Sequence, residues 1–247
     1  MSSPVLQPNG IILDARRSGR NALFEFEAEK LARSYGIPVV KAGTARTSTE
    51  AVSIAKKIGF PLVMKIVSPD ILHKSDTGGV KTDINSVSQV RSAFIEIIRN
   101  VKKTKKDAKI EGIYVQKMEP KSFEFVVGGT RDRQFGPTVM FGMGGIYVEL
   151  YKDVSFRLAP VSEDQARAMV EEIRAAPILN GFRGSKPLNV NAIISVIQAV
   201  GRMLIDSKEI DSVDINPLLV YGKGCKAVDV RVVLTNESPT IPLTISH

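Results

Sequence analysis

The sequence has little of what most often carries chemistry unaided. Its 247 residues include one cysteine, Cys225, two histidines, His73 and His247, and no tryptophan. One cysteine cannot close an internal disulfide and fits a reducing cytoplasm, and the histidines are too few for a His/Cys metal cluster. No stretch approaches the roughly 20 apolar residues that a membrane helix needs. The first residues, MSSPVLQPNG, have no basic flank and no apolar run, so no signal peptide is predicted and the expected location is cytoplasmic. The pattern GxxxxGK[ST] is missing, which excludes a P-loop nucleotidase. The glycine-rich FGMGGIYVE (141–149) lacks the dinucleotide-fingerprint spacing.

What is present is the mix of a globular chain, 43% hydrophobic and 24% charged. The 34 basic and 26 acidic residues leave a net charge of +8, which favours polyanions: nucleic acid, nucleotides or CoA-like molecules. A nucleic-acid surface would interleave aromatics with its basic residues, and the densest basic run, VKKTKKDAK (101–109), holds none. That run reads as a solvated helix end, and neither nucleic acid nor membrane is an expected partner.

Hydrophobic spacing predicts helices over 25–35, from Thr47 to Gly59, over 87–101, from Ser162 to about Arg174, and through NVNAIISVIQAVGRMLI. Thr47/Glu50 and Ser162/Gln165 have capping-box spacing. Strands are predicted in IPVVKAG, FPLVMKIV, VKTDI, EGIYVQKM, FEFVVGGT and GPTVMFGMGG. VDINPLLV and CKAVDVRVVL should pair as a hairpin turned by YGKG, and AAPILNGFRGSKPLN reads as loop. The result is an α+β chain rich in antiparallel strands, with no internal repeat and no Pro/Ser linker.

Three groups of residues could carry chemistry. Lys65, inside the apolar strand FPLVMKIV, is costly to bury without a countercharge, which a phosphate could supply; an edge lysine whose head reaches water is the equal alternative. His73 lies in a loop with Asp70, Lys74, Ser75 and Asp76 that ends in Gly78-Gly79. A neutral imidazole there could accept a proton or a phosphoryl group, and paired glycines allow close backbone approach; from these residues alone an ordinary exposed loop histidine is the favoured reading. Asp214 and Asn216, two apart on one strand, face the same side, and Asp229 can be brought alongside by pairing, an oxygen set that suits Mg²⁺; turn-forming polar residues before Pro217 are the alternative. Glu124 in FEFVVGG could accept hydrogen bonds from ribose hydroxyls or simply face solvent.

Together, EAEKLARSYGIPVV, GFPLVMKIVSPDILHKSDTGGVK, FVVGGTRDRQFGPTVMFGMGGIYVELYKDVSFRLAP and VDINPLLV resemble the ATP-grasp beta subunits of ADP-forming acetate–CoA ligases, found especially in archaea. The resemblance runs from about Arg20 to Leu234. The beta subunit of succinyl-CoA synthetase is more distantly similar, through GGVK, FGMGG and INPL, and lacks the HKSD histidine.

The resemblance implies an ATP-grasp fold of two α+β subdomains enclosing a nucleotide cleft, the smaller over about 44–118 and the larger over 1–43 and 119–247. It implies that Lys65 contacts the nucleotide phosphates, that the loop at Gly78 and Gly79 covers them, and that Gln116, Lys117 and Met118 form the adenine hinge. Glu124 would be the ribose or hinge carboxylate, with Asn216, Asp229 and Asp214 holding Mg²⁺. His73 would be the second phosphohistidine of a relay to ADP/ATP. The first would belong to an alpha subunit with the CoA-binding domain, in an assembly of two alpha and two beta chains. The competing readings are the beta subunit of a succinyl-CoA-synthetase-like enzyme, a catalytically silent ATP-binding regulatory module, a stand-alone carboxylate–amine ligase and a basic nucleic-acid-binding protein.

Overall fold

In the computed structural model of the chain, residues 8–71, 73–145, 153–181 and 186–236 are described. The tail SPTIPLTISH with His247, the end of FGMGGIYVE beyond Gly145, and residues 182–185 of the predicted loop lie outside them. The elements run α1 (Pro8–Arg17), α2 (Glu25–Ser34), β1 (Ala42–Ala45), α3 (Ser48–Ile58), β2 (Leu62–Val67), β3 (Val80–Ile84), α4 (Val87–Thr104) and β4 (Gly112–Lys117). They continue with β5 (Phe123–Asp132), β6 (Gly136–Met143), β7 (Val154–Leu158), α5 (Glu163–Glu172), α6 (Ala176–Leu179), α7 (Val190–Asp206), β8 (Ile210–Tyr221), β9 (Gly224–Ala227) and β10 (Val230–Leu234). Among the described residues, no helix is long and apolar enough to cross a membrane.

The chain divides into two compact units. One comprises 24–30 and 38–122, and the other runs to 23, then 31–37, and from 123 onward. The first is built on a four-stranded antiparallel sheet in the order β1-β4-β2-β3. Period two decides which side chains meet the helices. Leu62, Met64 and Ile66 of β2 and Ile113 and Val115 of β4 join Ala51, Val52 and Ala55 of α3 and Val90, Phe94, Ile97 and Val101 of α4 in one core. Each large apolar side chain so buried contributes about 1.5–3 kcal/mol. Helix α4 is capped by Ser86, which accepts the Gln89 N–H. Helix α3 is capped by Thr47, but the returning Glu50 carboxylate accepts from the Arg46 N–H rather than from Thr47 itself. Both arms of the box form at Ser162 and Gln165.

The second unit is built on a six-stranded sheet in the order β10-β8-β5-β6-β7, with β9 also on β8. Helix α7 contributes Ile193, Val196, Ile197, Val200, Met203 and Leu204 to its core. Gly129 of β5 lets that helix close, since a Cβ there would stand 2.7 Å from Val200 Cγ1 and 2.8 Å from Leu204 Cδ1. The C-terminal hairpin differs from its expected form. CKAVDVRVVL is not one strand: β9 and β10 pair with successive parts of β8, and the break at Val228-Asp229 falls opposite Asn216-Pro217. Pro217 has no N–H to give to a ladder there. Of IPVVKAG, only Ala42 and Gly43 belong to β1, while AAPIL closes into the one-turn helix α6. Helix α1 and strand β7 were not anticipated.

Candidate functional site

By the same alternation, the face of the four-stranded sheet turned away from α3 and α4 carries polar side chains among apolar ones. Lys65 of β2 pairs with Tyr114 of β4, and Gln116 follows two residues on. The first turns of α2 bring Glu25 and Glu29, four apart and so on one helix face, to these groups. Glu29 is fully buried and accepts from the Tyr114 hydroxyl at 2.5 Å and from Gln116 Nε2 at 3.2 Å. Glu25, with 5% of its side chain exposed, accepts from Lys65 Nζ through one oxygen and from Lys74 Nζ through the other, both at 2.6 Å. Burial alone would raise the Glu25 pKa. The charges and hydrogen bonds of the two lysines outweigh it and hold the carboxyl below its ordinary value.

His73 is exposed on the loop from β2 to β3. The loop is tied at both ends. At its start the Asp70 carboxylate accepts the Lys109 N–H at 2.6 Å, with Lys105 Nζ at 3.6 Å, contacts that keep its pKa low. At its end Gly79 N–H donates to Lys74 O, Gly78 N–H to Ser75 O, and the Thr77 hydroxyl to Lys74 O. The glycine pair therefore serves this turn directly, and its amides are engaged inside the loop. Gly78 has φ +64°, and a Cβ on Gly79 would meet Ile66 Cγ2 at 2.7 Å and Lys74 O at 2.9 Å. The return leg pairs back onto β2, with Val80 opposite Lys65 and Gly79 O accepting from Ile66 N–H at 2.8 Å.

The hinge residues Gln116, Lys117 and Met118 end β4. Their N–H groups are partly engaged: Lys117 N–H donates to Lys41 O and Met118 N–H to Pro61 O, while Lys117 Nζ donates to Phe60 O. The Gln116 side chain is turned to Glu29 and is 1% exposed.

The remaining expected residues belong to the other unit. Glu124 is exposed, and its backbone carries the glycine turn after β6: Gly144 N–H donates to Glu124 O at 2.7 Å, and a Cβ on Gly145 would stand 3.3 Å from its Oε2. Asp214, Asn216 and Asp229 are all exposed. Asp214 lies opposite Arg231, and Asn216 donates its N–H to Asp229 O at 3.2 Å. Asp214 and Asn216, two apart on β8, share a face, and the backbone bond from Asn216 brings Asp229 close to them at the break between β9 and β10. Partial loss of hydration pushes the Asp214 carboxyl up, with Arg231 opposing. Among the described residues, no three His, Cys, Asp or Glu side chains form a metal-holding cluster. Two carboxylates and an amide fit a hard cation that takes its remaining oxygens from phosphate and water.

Glu25, Glu29 and Lys74 were not singled out as site residues. A signal for them existed: a lysine within a buried strand demands a counterion, and FEFEAEK offers acids four apart at a helix start.

An ATP-grasp domain model matches residues 14–234. The chain is 46% identical over 223 residues to the acetate–CoA ligase (ADP-forming) I subunit beta of Pyrococcus furiosus, covering 90% of this chain and 96% of that one. It is 47% identical over 204 residues to acetate–CoA ligase (ADP-forming) I of Archaeoglobus fulgidus, covering 83% of this chain and only 30% of that protein. Among solved structures it resembles acetyl-coenzyme A synthetase 1 of Candidatus Korarchaeum cryptofilum in complex with coenzyme A and Mg-AMPPCP, whose phosphohistidine segment points towards the nucleotide site. The TM-score is 0.83 at 44% identity, over 93% of this chain and 100% of that one. A paired lysine, a histidine loop tied beside it and a near full-length match to a two-subunit ligase point the same way: the chain belongs to the ATP-grasp family, among the beta subunits of ADP-forming acetate–CoA ligases.

Proposed function

We propose that this chain moves a phosphoryl group between His73 and ADP, as the nucleotide-binding subunit of an ADP-forming acyl-CoA synthetase. The observation that carries the reading is the path of the His73 loop, which returns through Gly79 to pair with β2 beside Lys65. A nucleophile or phosphoryl carrier on an exposed loop is thereby tied to the strand whose lysine has the charge to hold a phosphate.

In the ATP-forming direction the P–N bond at the His73 ring breaks and its electron pair returns to the nitrogen, which takes up a proton. A terminal oxygen of ADP forms the new P–O bond. Lys65 offsets charge on the transferring group, and the loop carries His73 to and from its other phosphoryl partner. Asn216 and Asp229, with Asp214, would hold Mg²⁺, which when bound neutralises phosphate oxygens. Gln116, Lys117 and Met118 would meet the base through backbone groups other than the engaged N–H groups, Glu124 would meet the ribose, and Gly78 and Gly79 would let the loop cover the phosphates. An alpha subunit with a CoA site and the first phosphohistidine would complete the reaction acyl-CoA + ADP + phosphate to acid + CoA + ATP, in an assembly of two alpha and two beta chains. A cytoplasmic setting suits the buried free thiol of Cys225, which burial pushes up to about 11.

The test is intact-mass and peptide mapping of the full chain after incubation with ATP and Mg²⁺, with and without the alpha subunit. An acid-labile phosphoryl adduct on His73, abolished in His73→Ala while nucleotide still binds, is expected. No adduct in either setting overturns the proposal.

A further inference from the structure

Lys74 directly follows His73, so their Cα atoms lie about 3.8 Å apart. Wherever the Lys74 ammonium is held, the His73 backbone is held nearby. It is held by Glu25, the same carboxylate that grips Lys65 from a strand nine residues earlier in the chain. The three groups come from a helix, a strand and a loop, and their side-chain exposures are 5%, 13% and 28%. Two ammonium groups that would repel each other are brought to one carboxylate, leaving the trio with one net positive charge in a mostly buried setting open on the Lys74 side. Such a trio attracts a further anion. An ammonium has three N–H donors, and among the described residues Lys74 gives one to Glu25, which leaves donors for phosphoryl oxygens.

We propose that Glu25 is a positioning residue: it gathers Lys65 and Lys74 into a paired-cation cradle and thereby docks the His73 loop where a phosphoryl group passes between imidazole and nucleotide. Lys74 is the second arm of that cradle and touches the phosphoryl group while it is on or near His73. This rests on the phosphoryl-transfer reading above. It adds that the loop is docked by a charge contact at the lysine next to the histidine, in addition to the glycine turn behind it. It also gives Glu25 a place in the exchange. Its carboxylate occupies the lysines when no phosphoryl group is present, and it competes with that group for Lys74 once His73 is phosphorylated. That competition lets the charged loop leave.

The informative variant is Lys74→Met, because it leaves the Glu25–Lys65 pair intact and neutral and alters a partly exposed loop side chain. In the full chain without nucleotide, amide hydrogen exchange over residues 74–79 is expected to quicken at least fivefold in both Lys74→Met and Glu25→Gln. With ATP and Mg²⁺, half-saturation for nucleotide in Lys74→Met should stay within about twofold of wild type. The rate of His73 labelling at saturation should fall at least tenfold. Glu25→Asp, which keeps the charge, should recover part of the loss seen in Glu25→Gln. The double variant Glu25→Gln/Lys74→Met should label no more slowly than the worse single variant. Unchanged exchange and wild-type labelling in Lys74→Met would overturn the cradle while leaving His73 as phosphoryl carrier. Losses that multiply in the double variant would also overturn it, because the two residues would then act independently. A wild-type chain that never labels at His73, even with its partner, would overturn the phosphoryl-transfer reading and the cradle with it.

Discussion

In the unit built on four strands, Lys65 and Glu25 keep only 13% and 5% of their side chains exposed and are already joined to each other. In the unit built on six strands, Asp214 and Asn216 of β8 and Asp229 at the break before β10 are exposed, with Arg231 opposite the first of them. Both sets bear charge in a way that suits phosphate or its cation, but the folding chain treats them oppositely. Buried charges must be matched within the protein before any ligand arrives, so their geometry is settled by folding and their removal is felt in stability. An exposed side chain such as Asn216 keeps more of its hydration without a partner inside the protein, so its removal should be felt mainly when a cation is bound.

The largest expected effect breaks the buried side. Glu25→Ala leaves two ammonium groups without their shared carboxylate, one of them deeply placed, and should cost about 3–5 kcal/mol in denaturant unfolding. The pH dependence gives the same test with a sign. The Glu25 pKa lies below its ordinary 4.5 in the folded chain. Its contribution is therefore fully present above about 4.5 and is lost as pH falls from there through the folded value. The acid limb of the stability curve should accordingly be flatter in Glu25→Gln than in wild type. An equally steep limb would mean that other carboxylates govern it.

How much of this the sequence disclosed follows from the range of the forces involved. Helix α4 and strand β2 were legible because periodicity and caps are local, and both capping-box starts were correctly placed. The two-part pairing on β8 was not, because CKAVDVRVVL reads as one continuous strand, and the break at Val228-Asp229 shows only when it is set opposite Asn216-Pro217 in the hairpin. Strand β7, VSFRL, alternates apolar and polar residues but is only five residues long and buries Ser155 while leaving Phe156 and Leu158 exposed, so the alternation does not mark a core face. In the site, Lys65 drew notice as a buried charge, yet its partner is 40 residues away, and the acids four apart in FEFEAEK do not by themselves say which lysine they meet. The glycine pair was read as a phosphate-covering feature, while the structure gives its amides partners within the turn.

That last point sharpens the comparison at a smaller magnitude. Gly79→Ala would press a methyl group against Ile66 Cγ2 and the backbone oxygen of Lys74, and the second contact cannot move without shifting the loop. A loss of about 1–3 kcal/mol is expected by chemical denaturation. Slower labelling of His73 should accompany it, because the turn that positions Lys74 is displaced. A stability loss with labelling unchanged would show that this turn does not set the position of the histidine.

The exposed side should give the smallest change in stability and the cleanest separation from binding. Asn216 donates its backbone N–H to Asp229 O, a contact that survives truncation of the side chain. Asn216→Ala should therefore lie within about 0.5 kcal/mol of wild type in the absence of metal. If its amide oxygen is a cation ligand, nucleotide affinity measured with Mg²⁺ should weaken roughly tenfold, a difference of about 1.4 kcal/mol. Affinity measured in a chelator should be unchanged, since no cation is then present for the amide to hold. Equal losses with and without Mg²⁺ would mean that Asn216 serves the nucleotide or the fold directly. The contrast between a folding-matched face and a cation-matched face would then fail at the residue where it is easiest to measure.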